Sequence, residues 1–325
     1  MSRLSSVADF AGRHRRWLAV LQIALLAVFF GLVGWVLRGS LHAAKHDLEN
    51  ANIALFGAAC AALGAYYLVF VLGWKWILAE WGIDLSYSVT LRAEMVSMLA
   101  KYIPGAIWTP ARRAATTRAA GVTDAALVVS SMLLEAGISA VAGVIVFIVS
   151  LPFVDNVHAP LWPLVLFGAV IFVLVQPRVF RPVAHWVLSK VGYHKELPNL
   201  RNRTFTMLLV FYAGTWVLGG FALWLLLRSV GAHPELSSIV FLGGVACVGA
   251  IVAVVFVFAP SGLGVREASM YGLLLALTTP GRALSAVALN RVAITGVEIV
   301  VLLVGGLLLR SIHPEKPEPA EPQSV

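Results

Sequence analysis

Two arginines and three glutamates lie in or beside long apolar stretches of this 325-residue sequence: Arg266, Arg291, Glu135, Glu267 and Glu298. An arginine at bilayer depth costs at least ~2.5 kcal/mol to insert, so it needs either a partner or a function. One interpretation is a structural ion pair in which Glu135 or Glu298 neutralises Arg291. The other is a ligand site, because a guanidinium offers two parallel donors to phosphate oxygens. Both can hold if a substrate competes with the carboxylate for the arginine.

A helix-breaking segment, PSGLG at residues 260–264, comes just before Arg266. Irregular backbone at membrane depth is tolerated mainly where it faces a cavity. Glycines would let backbone amides approach an anion, and the helix that begins near Arg266 would point its positive end at that anion. Ser261, Gly262 and Gly264 are therefore candidate binding residues. The alternative is an interfacial loop that binds nothing.

A second break, at Pro104 and Gly105, interrupts the moderately apolar segment 95–111. We predict a re-entrant or interfacial hairpin there, with Pro104 and Gly105 as candidate binding residues. The basic residues around the break are Lys101, Arg112, Arg113 and Arg118. Lys101 and Arg112 are candidates for drawing an anionic headgroup to the cytoplasmic mouth of a site. The favoured interpretation, however, is that all four are ordinary basic residues of an inside loop.

The composition indicates a membrane protein. Of the residues, 60% are hydrophobic and only 12% are charged, and the mean hydropathy is +0.88. A soluble domain carries about twice that share of charge. The net charge of +8 does not indicate nucleic-acid binding, because the basic residues sit in short loops between apolar runs. Cys60 and Cys247 lie inside apolar runs and are predicted to be inert packing residues.

The apolar runs predict an all-α polytopic integral membrane protein with about six full crossings and two broken or re-entrant segments. The crossings are 17–37, 53–74, 125–150, 160–176, 204–227 and 283–309, and the broken segments are 95–111 and 237–281. If 237–281 forms separate full crossings, the number of crossings rises to at most eight. Residues 1–309 form one transmembrane domain, and the Pro/Glu-rich residues 310–325 are predicted to be a disordered cytoplasmic tail.

The distribution of Lys and Arg predicts the orientation of the chain. With the N-terminus inside, the inside segments carry 18 basic residues and the outside loops carry four. We therefore expect both termini in the cytoplasm and a location in the plasma (inner) membrane. The basic, amphipathic segment 177–203 is expected to lie on the inner membrane surface.

A matched spacing suggests an internal repeat. Glu135 follows Pro104 by 31 residues, and Arg291 follows Pro260 by 31 residues, each in the crossing after a broken segment. The halves would be about 53–150 and 204–309, and the predicted orientation makes them inverted. Inverted repeats with broken helices are typical of secondary transporters. A single matched spacing is also compatible with coincidence.

Several of these segments together resemble the transmembrane region of the lysylphosphatidylglycerol synthase/flippase family. They are KYIPG at 101–105, Arg112, Gly121-Val122, Glu135, PSGLGVREA at 260–268 and ALNR at 288–291. The resemblance spans about 17–309 and implies lipid translocation or the handling of lipid-linked intermediates. Full-length members also carry a cytoplasmic aminoacyl-transferase domain, which we expect this chain to lack because it ends 16 residues after Leu309.

The leading hypothesis is a lipid flippase or transporter that moves a phosphate-bearing lipid or lipid-linked intermediate between leaflets. Its expected partners are membrane lipids, either anionic or polyprenyl-linked, without a cofactor or metal. The alternative is a non-catalytic membrane subunit that docks a lipid-modifying or glycosylating enzyme of envelope biosynthesis through its basic inside loops. A glycosyltransferase acting on a lipid-linked sugar ranks last, because no outside loop carries paired carboxylates. We therefore expect no enzymatic activity.

Overall fold

A computed structural model describes residues 45–98, 108–154, 162–190, 192–193, 195–256 and 262–308. The described part of the chain is helical and contains no strand, which confirms the all-α prediction. The predicted crossing 17–37 and the predicted tail 310–325 lie outside the described residues. Lys101, Pro104, Gly105 and Ser261 lie outside them as well.

Ten α-helices are described. They are α1 (Ile53–Glu80), α2 (Tyr87–Met98), α3 (Trp108–Ala119), α4 (Ala125–Ser150), α5 (Trp162–Val175), α6 (Pro177–Ser189), α7 (Asn202–Ser229), α8 (Ser238–Val255), α9 (Val265–Leu274) and α10 (Pro280–Leu308). A single 3-10 turn, Leu151–Phe153, follows α4. Asn52 caps α1 by accepting hydrogen bonds from two backbone amides, and Asp124 caps α4 through the amide of Leu127.

Within the described ranges, five helices are long and apolar enough to cross a bilayer: α1, α4, α7, α8 and α10. The prediction of a polytopic membrane protein is thus confirmed. Of the crossing predicted at 160–176, the structure describes α5, whose 14 residues span about 21 Å at ~1.5 Å per residue. The chain bends by 79° between α5 and α6, and only the bent pair together is long enough to count as a sixth crossing.

The two broken segments form pairs of helices. On the two sides of the undescribed residues 99–107, α2 and α3 are described over 12 residues each, and they pack against each other. In 237–281, α8 has 18 residues and is long enough to cross, whereas α9 has only 10 and packs against α8. The second segment is therefore one potential crossing followed by a short helix.

The packing of the helices follows the proposed repeat. Each unit has a long helix, a pair of packed helices and a second long helix: α1, α2–α3, α4 and then α7, α8–α9, α10. Helix α2 packs on α10, and its counterpart α8 packs on α4. Helix α1 packs on α10, and α7 packs on α4, while α1 and α7 pack on each other at the centre. These reciprocal contacts are compatible with the predicted repeat, and both the repeat and its inverted orientation stay predictions.

Glycines allow the closest approach within the second unit. Gly220 of α7 faces Gly243 of α8, and a β-carbon on Gly220 would overlap the backbone of Ile239 and Gly243. Small residues let transmembrane helices bring their backbones together and gain van der Waals contact. The α7–α8 contact thus depends on the absence of these two side chains.

Candidate functional site

A buried triad of Glu94, Arg113 and Glu135 joins the first helix pair to the following long helix. Arg113 lies on α3, Glu94 on α2 and Glu135 on α4, and these residues are 4%, 3% and 4% exposed. One terminal nitrogen of Arg113 pairs with Glu94, and the other lies 2.9 Å from Oε2 of Glu135. The triad connects three helices inside the protein.

Further contacts complete the surroundings of the triad. The Nε atom of Arg113 donates to Oγ of Ser97 at 3.3 Å, and its guanidinium lies 4.5 Å from the centre of the Trp74 ring. Tyr212 of α7 donates to Oε1 of Glu135 at 3.3 Å. The guanidinium already has partners in several directions, so we assign Arg113 a structural role.

The second cluster lies on α9 and α10. Nη1 of Arg291 is 3.3 Å from Oε1 of Glu267, and their side chains are 22% and 23% exposed. The Oε2 atom of Glu267 accepts a hydrogen bond of 2.6 Å from the amide of Gly264 at the start of α9. Gly264 has a φ of 83°, which favours glycine. Glu267 therefore both caps α9 and joins it to α10.

Arg266 precedes Glu267 in α9 and has a different environment. Its side chain is partly buried, and its Nε atom is buried without a hydrogen-bond partner among the described residues. A buried donor left unpaired is costly, so this geometry favours an additional acceptor. The position suits a guanidinium that binds an anionic group.

Helix α1 contacts helices of both units. Its Trp74 ring lies 4.5 Å from the Arg113 guanidinium, and the ring centres of Tyr66 and Trp216 of α7 are 6.3 Å apart. Tyr67, the neighbour of Tyr66, donates a 2.5 Å hydrogen bond to Oε1 of Glu298, which is buried on α10. Helix α1 thus contacts the triad through Trp74 and α10 through Tyr67.

The ion pairs of the two units are equivalent in position and opposite in polarity. In the first unit the cation, Arg113, is on the short helix and the anion, Glu135, is on the long helix. In the second unit the anion, Glu267, is on the short helix and the cation, Arg291, is on the long helix. Glu135 and Arg291 are the residues that the matched spacing singled out. In each unit an ion pair connects the short helix to the crossing that follows.

Several predicted site residues have partners that the sequence did not indicate. Glu135 pairs with Arg113, and Arg291 pairs with Glu267, which was not among its expected partners. Gly262 is buried with a φ of 65°, and a β-carbon there would overlap Ala253 of α8. Arg112 is exposed on α3, so it is not part of the triad.

The prediction that Arg113 is an ordinary loop residue is wrong, because its side chain is buried between two glutamates. Glu94 was missed entirely. A signal was present in the sequence: Glu94 lies ten residues before Pro104 and Arg113 nine residues after it. If the chain folds back at Pro104, these two positions face each other. The opposite charges at matched distances from the break could therefore have predicted the pair.

Together, the fold and these clusters define a multi-pass membrane protein with buried and partly buried ion pairs among its helices. The chain belongs to the family described as the lysylphosphatidylglycerol synthase transmembrane region, whose model matches residues 20–305. The resemblance inferred from the motifs is thereby confirmed. A search among curated proteins gave no match. Family membership indicates a membrane protein of lipid metabolism or lipid transport.

Proposed function

We propose that this protein is a lipid flippase that moves a phosphate-bearing lipid, or a lipid-linked intermediate, between the leaflets of the plasma membrane. The observation that carries the proposal is the partly buried guanidinium of Arg266, whose Nε has no hydrogen-bond partner among the described residues. A phosphate oxygen is a strong acceptor for such a donor. The N-terminus of α9, where Arg266 lies, adds a favourable potential for an anion.

The neighbouring pair, Glu267 and Arg291, supports the same site. Both side chains are more than a fifth exposed, unlike the triad, so an incoming group can reach them. A phosphate that binds Arg291 would compete with Glu267 and loosen the connection between α9 and α10. Substrate binding would in this way change the packing of the second unit. These residues bind and release the headgroup, and the proposal assigns them no bond-making chemistry.

The reciprocal packing of the two units supports a mechanism of alternating access. Many transporters expose a midplane site to each side by moving one repeat against the other. Here α2 packs on α10 and α8 on α4, so each helix pair rests on a long helix of the opposite unit. Movement at these contacts would open the site to one leaflet at a time while the acyl or polyprenyl chains stay in lipid.

The test is a lipid-exchange assay in liposomes, with tail-labelled fluorescent phosphatidylglycerol as the first probe and a labelled polyprenyl-phosphate sugar as the second. We expect wild-type protein to accelerate exchange of at least one probe. Arg266→Gln should lower the rate about tenfold, because it removes a charge-assisted interaction of about 1.5–3 kcal/mol. The matched control is Arg282→Gln, which changes an arginine near the start of α10.

Three results would contradict the proposal in different ways. If wild-type protein exchanges none of the probes faster than protein-free liposomes do, the flippase assignment fails. If wild-type protein is active and Arg266→Gln is equally active, the function survives but Arg266 is not the binding group. Equal losses in Arg266→Gln and Arg282→Gln would show a general charge effect instead of a site.

A further inference from the structure

A large cavity lies outside the two charged clusters, between α6 and the segment 196–202 that leads into α7. Its volume is about 820 Å³, within the usual range for small-molecule sites of about 300–1,000 Å³. Three arginines and one glutamate line it: Arg178, Arg181, Arg201 and Glu196. The lining is therefore basic, and we call this space the α6 cavity.

The walls of the α6 cavity are fixed to the rest of the protein. Arg201 pairs with Glu80 at the end of α1 at 2.8 Å, and Leu197 and Leu200 are buried. Tyr193 donates a 2.9 Å hydrogen bond to Asp124, the cap of α4. Burial and this hydrogen bond raise the pKa of Tyr193 to about 12, so the phenol keeps its proton at neutral pH. The segment that closes the cavity is thus held in place on both sides.

Two helix N-termini meet at the α6 cavity. Pro177 and Arg178 begin α6, and Asn202 begins α7, and all three residues line the cavity. Neither helix has a side-chain cap at this end, so its first amides are not satisfied in that way. Helix N-termini carry a partial positive charge and bind anions. Two of them in one basic cavity form a concentrated anion site.

Polar groups in the cavity still need partners. Arg178 is exposed and forms no ion pair with any described residue, whereas Arg181 pairs with Glu196. The Nδ1 atom of His185 is buried and has no hydrogen-bond partner in the described ranges. A ligand with several acceptor oxygens would replace water at Arg178 and would accept a hydrogen bond from His185 in the tautomer that carries its proton on Nδ1.

The position of α6 indicates where the ligand comes from. At about 100° per residue, Arg178, Arg181 and His185 share one face of α6, and Val183, Trp186 and Val187 share another. The three apolar side chains are exposed, with Trp186 at 63%. Such a helix lies in the membrane interface with its apolar face in the lipid. The chain bends by 79° between α5 and α6, so α6 can run along that surface and does not continue the direction of α5.

We propose that the α6 cavity binds the phosphate group of an anionic membrane lipid at the surface of the bilayer, apart from the residues assigned to lipid movement. Arg178 supplies the free guanidinium, and the two helix N-termini supply backbone donors. The cavity is much larger than a phosphate, so it also accommodates a polar headgroup. This site recognises phosphate whether the phosphate belongs to a lipid or is free in solution, and the experiment separates these sources.

The experiment uses the full chain in detergent and native mass spectrometry with phosphatidylglycerol or phosphatidylcholine. Wild-type protein should retain phosphatidylglycerol in preference to phosphatidylcholine. Arg178→Gln should bind it about tenfold more weakly, because a charge-assisted contact is lost while both ion pairs of the cavity remain. Arg178→Lys should give an intermediate loss, since it keeps the charge but not the planar fork. The control is Arg203→Gln, an exposed arginine of α7 that does not line the cavity.

Retention of phosphatidylglycerol by Arg178→Gln at the wild-type level would overturn the proposal, as would an equal loss in Arg203→Gln. Calorimetric titration with inorganic phosphate tests the soluble source. Phosphate binding by wild-type protein alone, without lipid retention, would refute a lipid ligand and assign the cavity to a soluble phosphate compound. If Arg266→Gln loses the bound lipid and Arg178→Gln keeps it, the lipid sits at the transport site and the α6 cavity is not its site.

Discussion

Removal of Arg113 tests whether the buried triad holds the first unit together. Arg113→Met keeps most of the side-chain volume and leaves Glu94 and Glu135 buried without their cation. Both carboxylates are about 95% buried, so water does not compensate for the loss. Breaking a buried ion pair by removing one partner costs about 3–5 kcal/mol, since an uncompensated charge remains. We expect a loss of stability in this range.

Two further variants make the interpretation specific. Arg112→Met changes the exposed neighbour on the same helix and should alter the free energy of unfolding by less than about 0.5 kcal/mol. The triple variant Glu94→Gln, Arg113→Met, Glu135→Gln removes all three charges and should recover most of the stability, because neutral replacement of a buried ion pair is often tolerated. Recovery would show that the cost comes from unpaired charge.

The assay is unfolding in mixed micelles with increasing SDS, followed by tryptophan fluorescence. Trp74 lies 4.5 Å from the Arg113 guanidinium and donates a 2.9 Å hydrogen bond to Ser131, so its emission reports on this region. If Arg113→Met is as stable as Arg112→Met, the triad does not stabilise the fold. If the triple variant is no more stable than Arg113→Met, the loss comes from packing and the electrostatic explanation is refuted.

Two other changes test contacts between helices by the same unfolding assay. Gly220→Ala should destabilise the protein by about 1–3 kcal/mol, since the added methyl group overlaps the backbone of α8 at Gly243. The control Gly214→Ala has no atom near its added β-carbon and should be neutral or slightly stabilising. Equal effects of the two changes would contradict a close α7–α8 contact. Tyr67→Phe removes the hydrogen bond to buried Glu298 and should cost about 1–3 kcal/mol, and an unchanged stability would show that this bond does not join α1 to α10.

The long helices could be predicted well from the sequence. Helix α4 was predicted at its observed bounds of 125–150, and α7 was predicted as 204–227 against the observed Asn202–Ser229. These runs are apolar throughout, so the cost of exposing them to water determines both their existence and their length. Their ends were less certain because polar caps and basic residues continue a helix beyond its apolar part.

The burial of Arg113 could not be predicted from the composition of its own helix. Helix α3 is polar and carries several basic residues, so its composition resembles that of an inside loop. Its one buried arginine is distinguished from Arg112 only by the side of the helix on which it lies. That side becomes defined when α3 packs against α2 and α4. The partner of Arg291 was missed for a similar reason. Glu267 lies on a different helix, α9, and comes close to Arg291 only when α9 packs against α10.

The opposite polarity of the two ion pairs, together with their unequal exposure, suggests a division of roles between the units. The pair in the first unit is fully buried, and opening it would leave charges in a medium of low dielectric constant at a high cost. The pair in the second unit is partly exposed, so a phosphate can replace the carboxylate without leaving a buried charge unpaired. A headgroup would therefore open the second connection and leave the first intact. Under the proposed function, the first unit would act as the fixed support, and the second unit would contain the site that responds to the lipid.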